Sequence, residues 1–239
     1  MRIAMWSGPR NLSTAMMYAF GSREDTAIVD EPFYAAYLAA TGLQHPMRAE
    51  ILDAQPADPH RVVEALIGPI PAEKQFYYQK HMCQHMLPGI PRGWMAEVTN
   101  VFLIRHPARV IESFGKKYER PTLADIGFSQ QHELFEEAAA RRDAPVVIDS
   151  ADIRRDPEGM LRCLCDAIGM AWDPAMLNWR RGGHPADGVW APHWYAAVHR
   201  STTFAGTEEP LPELSGQAAQ LLEQALPHYE ALAAVKLRG

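Results

Sequence analysis

The chain has three cysteines in 239 residues, Cys83, Cys163 and Cys165, and no CxxC pair among them. So small and scattered a set supplies neither a disulfide framework nor the ligand spacing of a structural zinc site. His81 and His85 flank Cys83 at an i, i+4 spacing, yet no HExxH pattern or second cysteine pair completes a ligand set. Reduced thiols and no metal are expected. Excess basic charge is missing too: 23 Lys+Arg against 29 Asp+Glu leave a formal net charge of -6. That excludes a surface built to displace counterions from nucleic acid, so any cationic site must be local.

No apolar run approaches the ~20 residues that cross a bilayer. The apolar start, Met1–Trp6, meets Ser7, Gly8 and Pro9 before it reaches the length of a signal-peptide core. A cytoplasmic protein is expected, with no membrane and no nucleic-acid partner. A Walker A loop is absent as well, because GxxxxGK[ST] occurs nowhere.

What is present is an ordinary globular composition, 47% hydrophobic and 22% charged. One domain is expected over residues 1–239. Short continuous apolar runs alternate with segments of helical period, as buried parallel strands alternate with covering helices. Strands are expected at Arg2–Trp6, Ala27–Asp30, Gln75–Lys80, Val101–Ile104 and Val146–Ile148, enough for a doubly wound α/β sheet. Helices are expected at Ser13–Phe20, Arg61–Ile67, Ala108–Tyr118, His132–Arg142, Glu158–Ile168 and Glu213–Leu232. Asp156 and Pro157 form a start signal for the fifth. The Pro-rich stretches His45–His60 and Gly68–Ala72, and Gly182–His193, read as loops.

The most informative stretch follows the first strand: Gly8, Pro9, Arg10, Asn11, Leu12, Ser13 and Thr14. A strand, a Gly/Pro turn and hydroxyls at a helix start bring free N–H groups and the positive dipole end to one point, which favours an anion. Arg10 adds a fork suited to phosphate or sulfate oxygens. The plain alternative is a helix capped by Ser13 beside an incidental arginine.

A second stretch, Thr99-Asn100-Val101-Phe102-Leu103-Ile104-Arg105-His106-Pro107, is an apolar strand that ends in arginine where a Walker B strand ends in aspartate. Ser113 lies eight residues beyond Arg105, on the following helix. Together the two stretches resemble the sulfotransferase superfamily, whose 5′-phosphosulfate loop is similar to Gly8–Thr14 and whose 3′-phosphate motif is similar to Arg105 with Ser113. The resemblance implies a P-loop NTPase-like three-layer sandwich with a central, mostly parallel five-stranded sheet flanked by helices. It implies a sulfotransferase that moves a sulfuryl group from 3′-phosphoadenosine 5′-phosphosulfate, released as 3′,5′-ADP, to a hydroxyl or amine of a small molecule or glycan, without a metal. Leu12 departs from the family pattern, which has glycine there in many members. The late Arg180-Arg181-Gly182 only loosely echoes the family's basic-Gly segment.

Such a transfer needs a base near the acceptor and a cation near the bridging oxygen. In part of the family a Lys followed closely by His at the third strand's end holds these roles, so the resemblance implies Lys80 and His81, with Arg10 on the sulfuryl end. Being adjacent, Lys80 and His81 point to opposite faces if the strand stays extended. Other branches use a glutamate near the position of Glu31, which could instead cap a helix starting at Pro32. His85 is a third candidate base.

Two rival functions stay open. A metal-dependent P-loop nucleotide enzyme, such as a small-molecule kinase, would use the Walker B-like ends at Asp30-Glu31 and Asp149, but it lacks the loop lysine. A non-catalytic nucleotide-binding module could carry the same loop. The aromatics Phe33, Tyr34, Tyr37, Trp190, Trp194 and Tyr195 could line an acceptor pocket or pack as core.

Overall fold

The computed structural model describes residues 1–116, 120–141 and 144–239. Its strands are β1 (Arg2–Ser7), β2 (Thr26–Asp30), β3 (Phe76–Met82), β4 (Thr99–Ile104) and β5 (Val146–Asp149). They form one sheet in the order β2-β3-β1-β4-β5, with every neighbouring pair parallel. Helices cover both faces, giving the α/β architecture that the alternating pattern predicts. They are α1 (Ser13–Gly21), α2 (Tyr34–Thr41), α3 (Arg48–Ala54), α4 (Pro59–Ile67), α5 (Pro107–Gly115), α6 (Leu123–Ile126), α7 (Phe128–Ala139), α8 (Ser150–Arg155), α9 (Pro157–Ile168), α10 (Ala191–Trp194), α11 (Ala196–His199) and α12 (Gly216–Ala233).

The five strands fall where the apolar runs place them. The helix ends expected at Tyr118 and Arg142 lie outside the described residues. The loop expected over His45–His60 is broken by α3, because its prolines stand at 46, 56 and 59 and leave Arg48–Ala54 free to wind. The loop expected over Gly182–His193 likewise ends early, at Ala191, where Pro192 sits in the first turn of α10. Pro32 does not start the helix after β2, which begins at Tyr34 behind Phe33. Among the described residues, no helix is long and apolar enough to cross a membrane.

Alternation along the strands divides the core between two layers. Ile3, Met5, Tyr78, Val101, Leu103 and Ile148 pack with α1, α2 and α9. Ala4, Trp6, Phe102, Ile104 and Val147 pack with α4 and α7. Lys80, two residues beyond Tyr78, therefore faces the first layer, and His81 faces the second.

From β1 the chain passes to β2 on one side of the sheet, returns through β3, and crosses to β4 and β5 on the other. β1 therefore lies between β3 and β4 at the point where the direction of winding reverses. Ligands of open parallel sheets bind beyond the strand ends at such a point. Here those ends carry Gly8, Lys80 and Arg105. Gly8 also sets the clearance of this crevice, since a Cβ there would stand 2.7 Å from the Ile126 carbonyl oxygen. Gly8→Ala is expected to cost roughly 1–3 kcal/mol through overpacking, visible as a lower urea midpoint at an unchanged denaturant slope.

Candidate active site

The loop between β1 and α1 turns on two left-handed residues, Arg10 (φ 64°) and Leu12 (φ 70°). Such a backbone costs about 1–2 kcal/mol per non-glycine residue. At Leu12 a glycine would adopt this positive φ without that cost. Leu12 is also the N-cap of α1, and among the described residues this helix start has no side-chain cap hydrogen bond. Ser13 is not the cap that the plain alternative requires; it is the first helical residue and is buried. Helices α4, α8 and α9 are by contrast capped by Asp58, Asp149 and Asp156. The first turn of α1 thus keeps its donors for another partner. Asn11 ties the loop to β4, its Nδ2 donating to the Leu103 carbonyl at 3.2 Å.

The two phosphate-type motifs meet in space. Arg105 Nη1 donates to the Arg10 carbonyl oxygen at 2.7 Å, and Arg10 Nε donates to Ser113 Oγ at 2.9 Å. The Arg10 guanidinium is held below its ordinary pKa, first by burial and then by the charge of Arg105. Behind Arg105 stands one carboxylate, Glu208, whose side chain is 4% exposed. It contacts Arg105, Arg109 Nε at 2.7 Å and Arg154 Nη1 at 2.8 Å.

Across the crevice, Lys80 Nζ lies 2.8 Å from Asp30 Oδ1, 2.6 Å from Glu31 Oε1 and 2.6 Å from the Tyr195 hydroxyl. Burial alone would lower the ammonium's pKa, but the two carboxylates outweigh it and the net shift is upward. Asp30 is pushed up to about 6 by burial, against the pull of Lys80. The Tyr195 hydroxyl also accepts from Trp190 Nε1 at 2.9 Å and donates toward the carboxylates.

His81 and Glu31 separate clearly as candidate bases. β3 stays extended through Met82, so His81 leaves on the face opposite Lys80 and stacks on Trp6 with ring centroids 4.5 Å apart. Burial lowers its pKa to about 3. The expectation that His81 works beside Lys80 is therefore corrected by strand alternation. Glu31 does not cap the next helix. It takes a left-handed turn (φ 40°) at the end of β2, and its Oε2 lies 4.0 Å from His85 Nε2. His85 is stacked on Tyr34 and Tyr37 at 4.6 and 4.8 Å. Burial, helped by His45 and Lys80, holds it neutral, and its Nδ1 has no hydrogen-bond partner among the described residues.

These groups surround a cavity of about 370 Å³. Pro9, Arg10, Asn11, Leu12, Ser13 and Thr14 of the loop line it together with Arg105, with Glu31, Lys80 and His85, and with the aromatic Tyr34, Tyr37, Trp194 and Tyr195. Gly8, Ser113 and His81 lie off its wall, although Ser113 holds Arg10. Phe33 and Trp190 are core residues. The Walker B-like carboxylates are bound to protein groups, Asp30 as described and Asp149 to Tyr229, Lys236 and the Ala151 N–H. Glu208 carries no local sequence pattern that marks it, and Tyr195, named from sequence only as an aromatic that could line a pocket or pack as core, lines the cavity and also bonds Lys80.

A family model described as a sulfotransferase domain matches residues 1–236. Two Arabidopsis thaliana proteins named branched-chain-amino-acid aminotransferase-like proteins 2 and 1 are 36% and 37% identical over 96% of this chain. The chain spans 41% of the length of each. Among solved structures, the sulfotransferase domain from the curacin biosynthetic pathway shares the fold with a TM-score of 0.59 at 16% identity, covering 93% of this chain and 96% of its own. A sulfotransferase from Alicyclobacillus acidocaldarius gives 0.54 at 11% identity, covering 98% and 96%.

The buried charge cluster generates two expectations. Lys80→Ala leaves Asp30 and Glu31 without their cation and should cost roughly 3–5 kcal/mol, read by urea denaturation. The folded pKa of Asp30, about 6, lies above its unfolded value. The folded state therefore holds that proton more tightly, and the group's contribution to stability declines as pH rises from about 4 to about 6. Asp30→Asn should remove that decline, so the stability of wild type relative to the variant should fall between pH 4 and pH 6.5.

Proposed function

The chain belongs to the sulfotransferase family, and from that premise we propose that it transfers a sulfuryl group from 3′-phosphoadenosine 5′-phosphosulfate to a hydroxyl or amine of a small molecule or glycan. The observation that carries this reading is the meeting of Arg10, Arg105 and Ser113 beside an uncapped helix start, with a lysine-paired glutamate across the same cavity. Two neighbouring guanidiniums on one cavity wall repel each other, and an anionic ligand relieves that repulsion. A donor that carries both a phosphate and a phosphosulfate supplies negative charge to both of these cations. The relatives' aminotransferase-like name is not carried over, since this chain matches under half of each.

In the proposed reaction Glu31 is the general base. Lys80 and Tyr195 hold its Oε1, so Oε2 is the atom that takes the acceptor's proton as the acceptor oxygen or nitrogen attacks sulfur. The bond from sulfur to the bridging oxygen breaks, and 3′,5′-ADP leaves with the electron pair. Arg10 and the free N–H groups of α1 face the charge that grows on that oxygen. Arg105 holds the 3′-phosphate, and Ser113, off the cavity wall, positions Arg10 through its Oγ. Neutral His85 flanks Oε2 and accepts or donates a hydrogen bond to the acceptor.

Calorimetry tests the donor assignment. 3′,5′-ADP should bind more tightly than 5′-AMP, and Arg105→Ala should remove most of that preference, about 1.5–3 kcal/mol; equal affinities in wild type would overturn it. Steady-state rates test the chemistry. Arg10→Ala is expected to lower kcat by roughly two to three orders of magnitude, and Glu31→Gln by about 10²–10⁴. His85→Asn should cost less than Glu31→Gln, and the reverse ranking would make His85 the base.

A further inference from the structure

We infer that Arg154, on the short helix α8, is a further ligand of the donor's 3′-phosphate, and that Glu208 is a positioning residue that turns Arg154 and Arg105 toward the cavity. The inference rests on the donor site proposed above. Arg105 and Arg154 both line the main cavity, whereas Glu208 belongs to the wall of a neighbouring cavity of about 320 Å³ that it shares with Arg109. The carboxylate thus reaches the two arginines from behind. Its Oε1 accepts from Arg105 Nε at 3.0 Å, from Arg105 Nη2 and from Arg154 Nη1 at 2.8 Å. Arg154 Nε also donates to the Gly206 carbonyl oxygen at 2.8 Å, fixing the direction of the side chain. A guanidinium presents five N–H donors, so those turned away from Glu208 remain for a ligand in the cavity.

Charge and satisfaction point the same way. Arg105 and Arg154 bring two positive charges to the cavity wall against the single carboxylate of Glu208 behind them. The charge left over suits an anionic group such as a phosphomonoester, which carries about −1.5 to −2 near neutral pH. Ser150 lies one turn before Arg154 on the same face of α8 and lines the same cavity. It is 0% exposed, and its Oγ has no hydrogen-bond partner among the described residues. A buried hydroxyl left unpaired is rare, and one beside a guanidinium on a cavity wall fits an oxyanion ligand there.

The test is calorimetric titration of the full chain with 3′,5′-ADP and 5′-AMP. Arg154→Ala should weaken 3′,5′-ADP by about tenfold and leave 5′-AMP nearly unchanged, which also reports that the variant is folded. Arg154→Lys should recover part of the loss, because charge is kept without the fork. Glu208→Gln separates orientation from charge by its sign. Loss of a negative charge alone would tighten an anion, whereas loss of alignment should weaken 3′,5′-ADP selectively, and tighter binding would overturn the role given to Glu208. A wild-type preference for 3′,5′-ADP that survives Arg154→Ala intact overturns the role of Arg154 and leaves the donor reading standing. No preference in wild type would instead remove the donor reading itself.

Discussion

The Lys80 ammonium, 1% exposed, is the constraint around which the crevice is arranged. A charge that far from water is tolerable only with opposite charge and hydrogen bonds in immediate contact. Asp30, Glu31 and Tyr195 supply both, and in doing so they fix the end of β2 against β3 and bring down the segment that carries Tyr195. Glu31 adopts a left-handed backbone that side chains rarely take, and its N–H bonds the Lys80 carbonyl at 2.9 Å. One ion cluster therefore sets both the path of the chain after β2 and the direction of the carboxylate that faces the cavity.

The opposite wall is organised by a different physics. Its cations stand close together with one internal carboxylate, and the first turn of α1 has no side-chain cap. The Lys80 side sets one ammonium against two carboxylates, whereas the arginine side carries an excess of positive charge. A chain with a net charge of -6 thus concentrates a local positive field in one cleft, where low-dielectric walls strengthen it. The cavity is therefore electrostatically asymmetric, with cations gathered around Arg105 and carboxylates around Lys80.

Much of this was legible in the sequence. Continuous apolar runs located all five strands because parallel strands buried on both faces leave little room for polar residues. The anion loop and the Arg105/Ser113 pair were legible because each is a local pattern, a strand followed by a turn or helix start with fixed residue types. Alternation even foretold that Lys80 and His81 would part, although not which of them would keep the site. The helix at Arg48–Ala54 was hidden by prolines that flank it without entering it. Glu208 and Arg154 were hidden for a deeper reason: their contacts come from tertiary proximity alone, and a lone glutamate or arginine in an irregular or short segment has no periodicity that announces it; Tyr195 was legible as a possible pocket aromatic, but its bond to Lys80 was not.

The hydrogen bond between Asp30 and Tyr195 joins residues 165 positions apart. A ribosome has to add 165 residues after Asp30 before that bond can form. Until then the nascent segment with Asp30, Glu31 and Lys80 lacks the phenol that completes their hydrogen bonding. Closing so long a loop is an entropic cost borne late, and contacts of such sequence separation slow folding. A chain cut short before Tyr195 would carry both phosphate-type motifs yet lack the phenol that completes the hydrogen bonding of Lys80, Asp30 and Glu31.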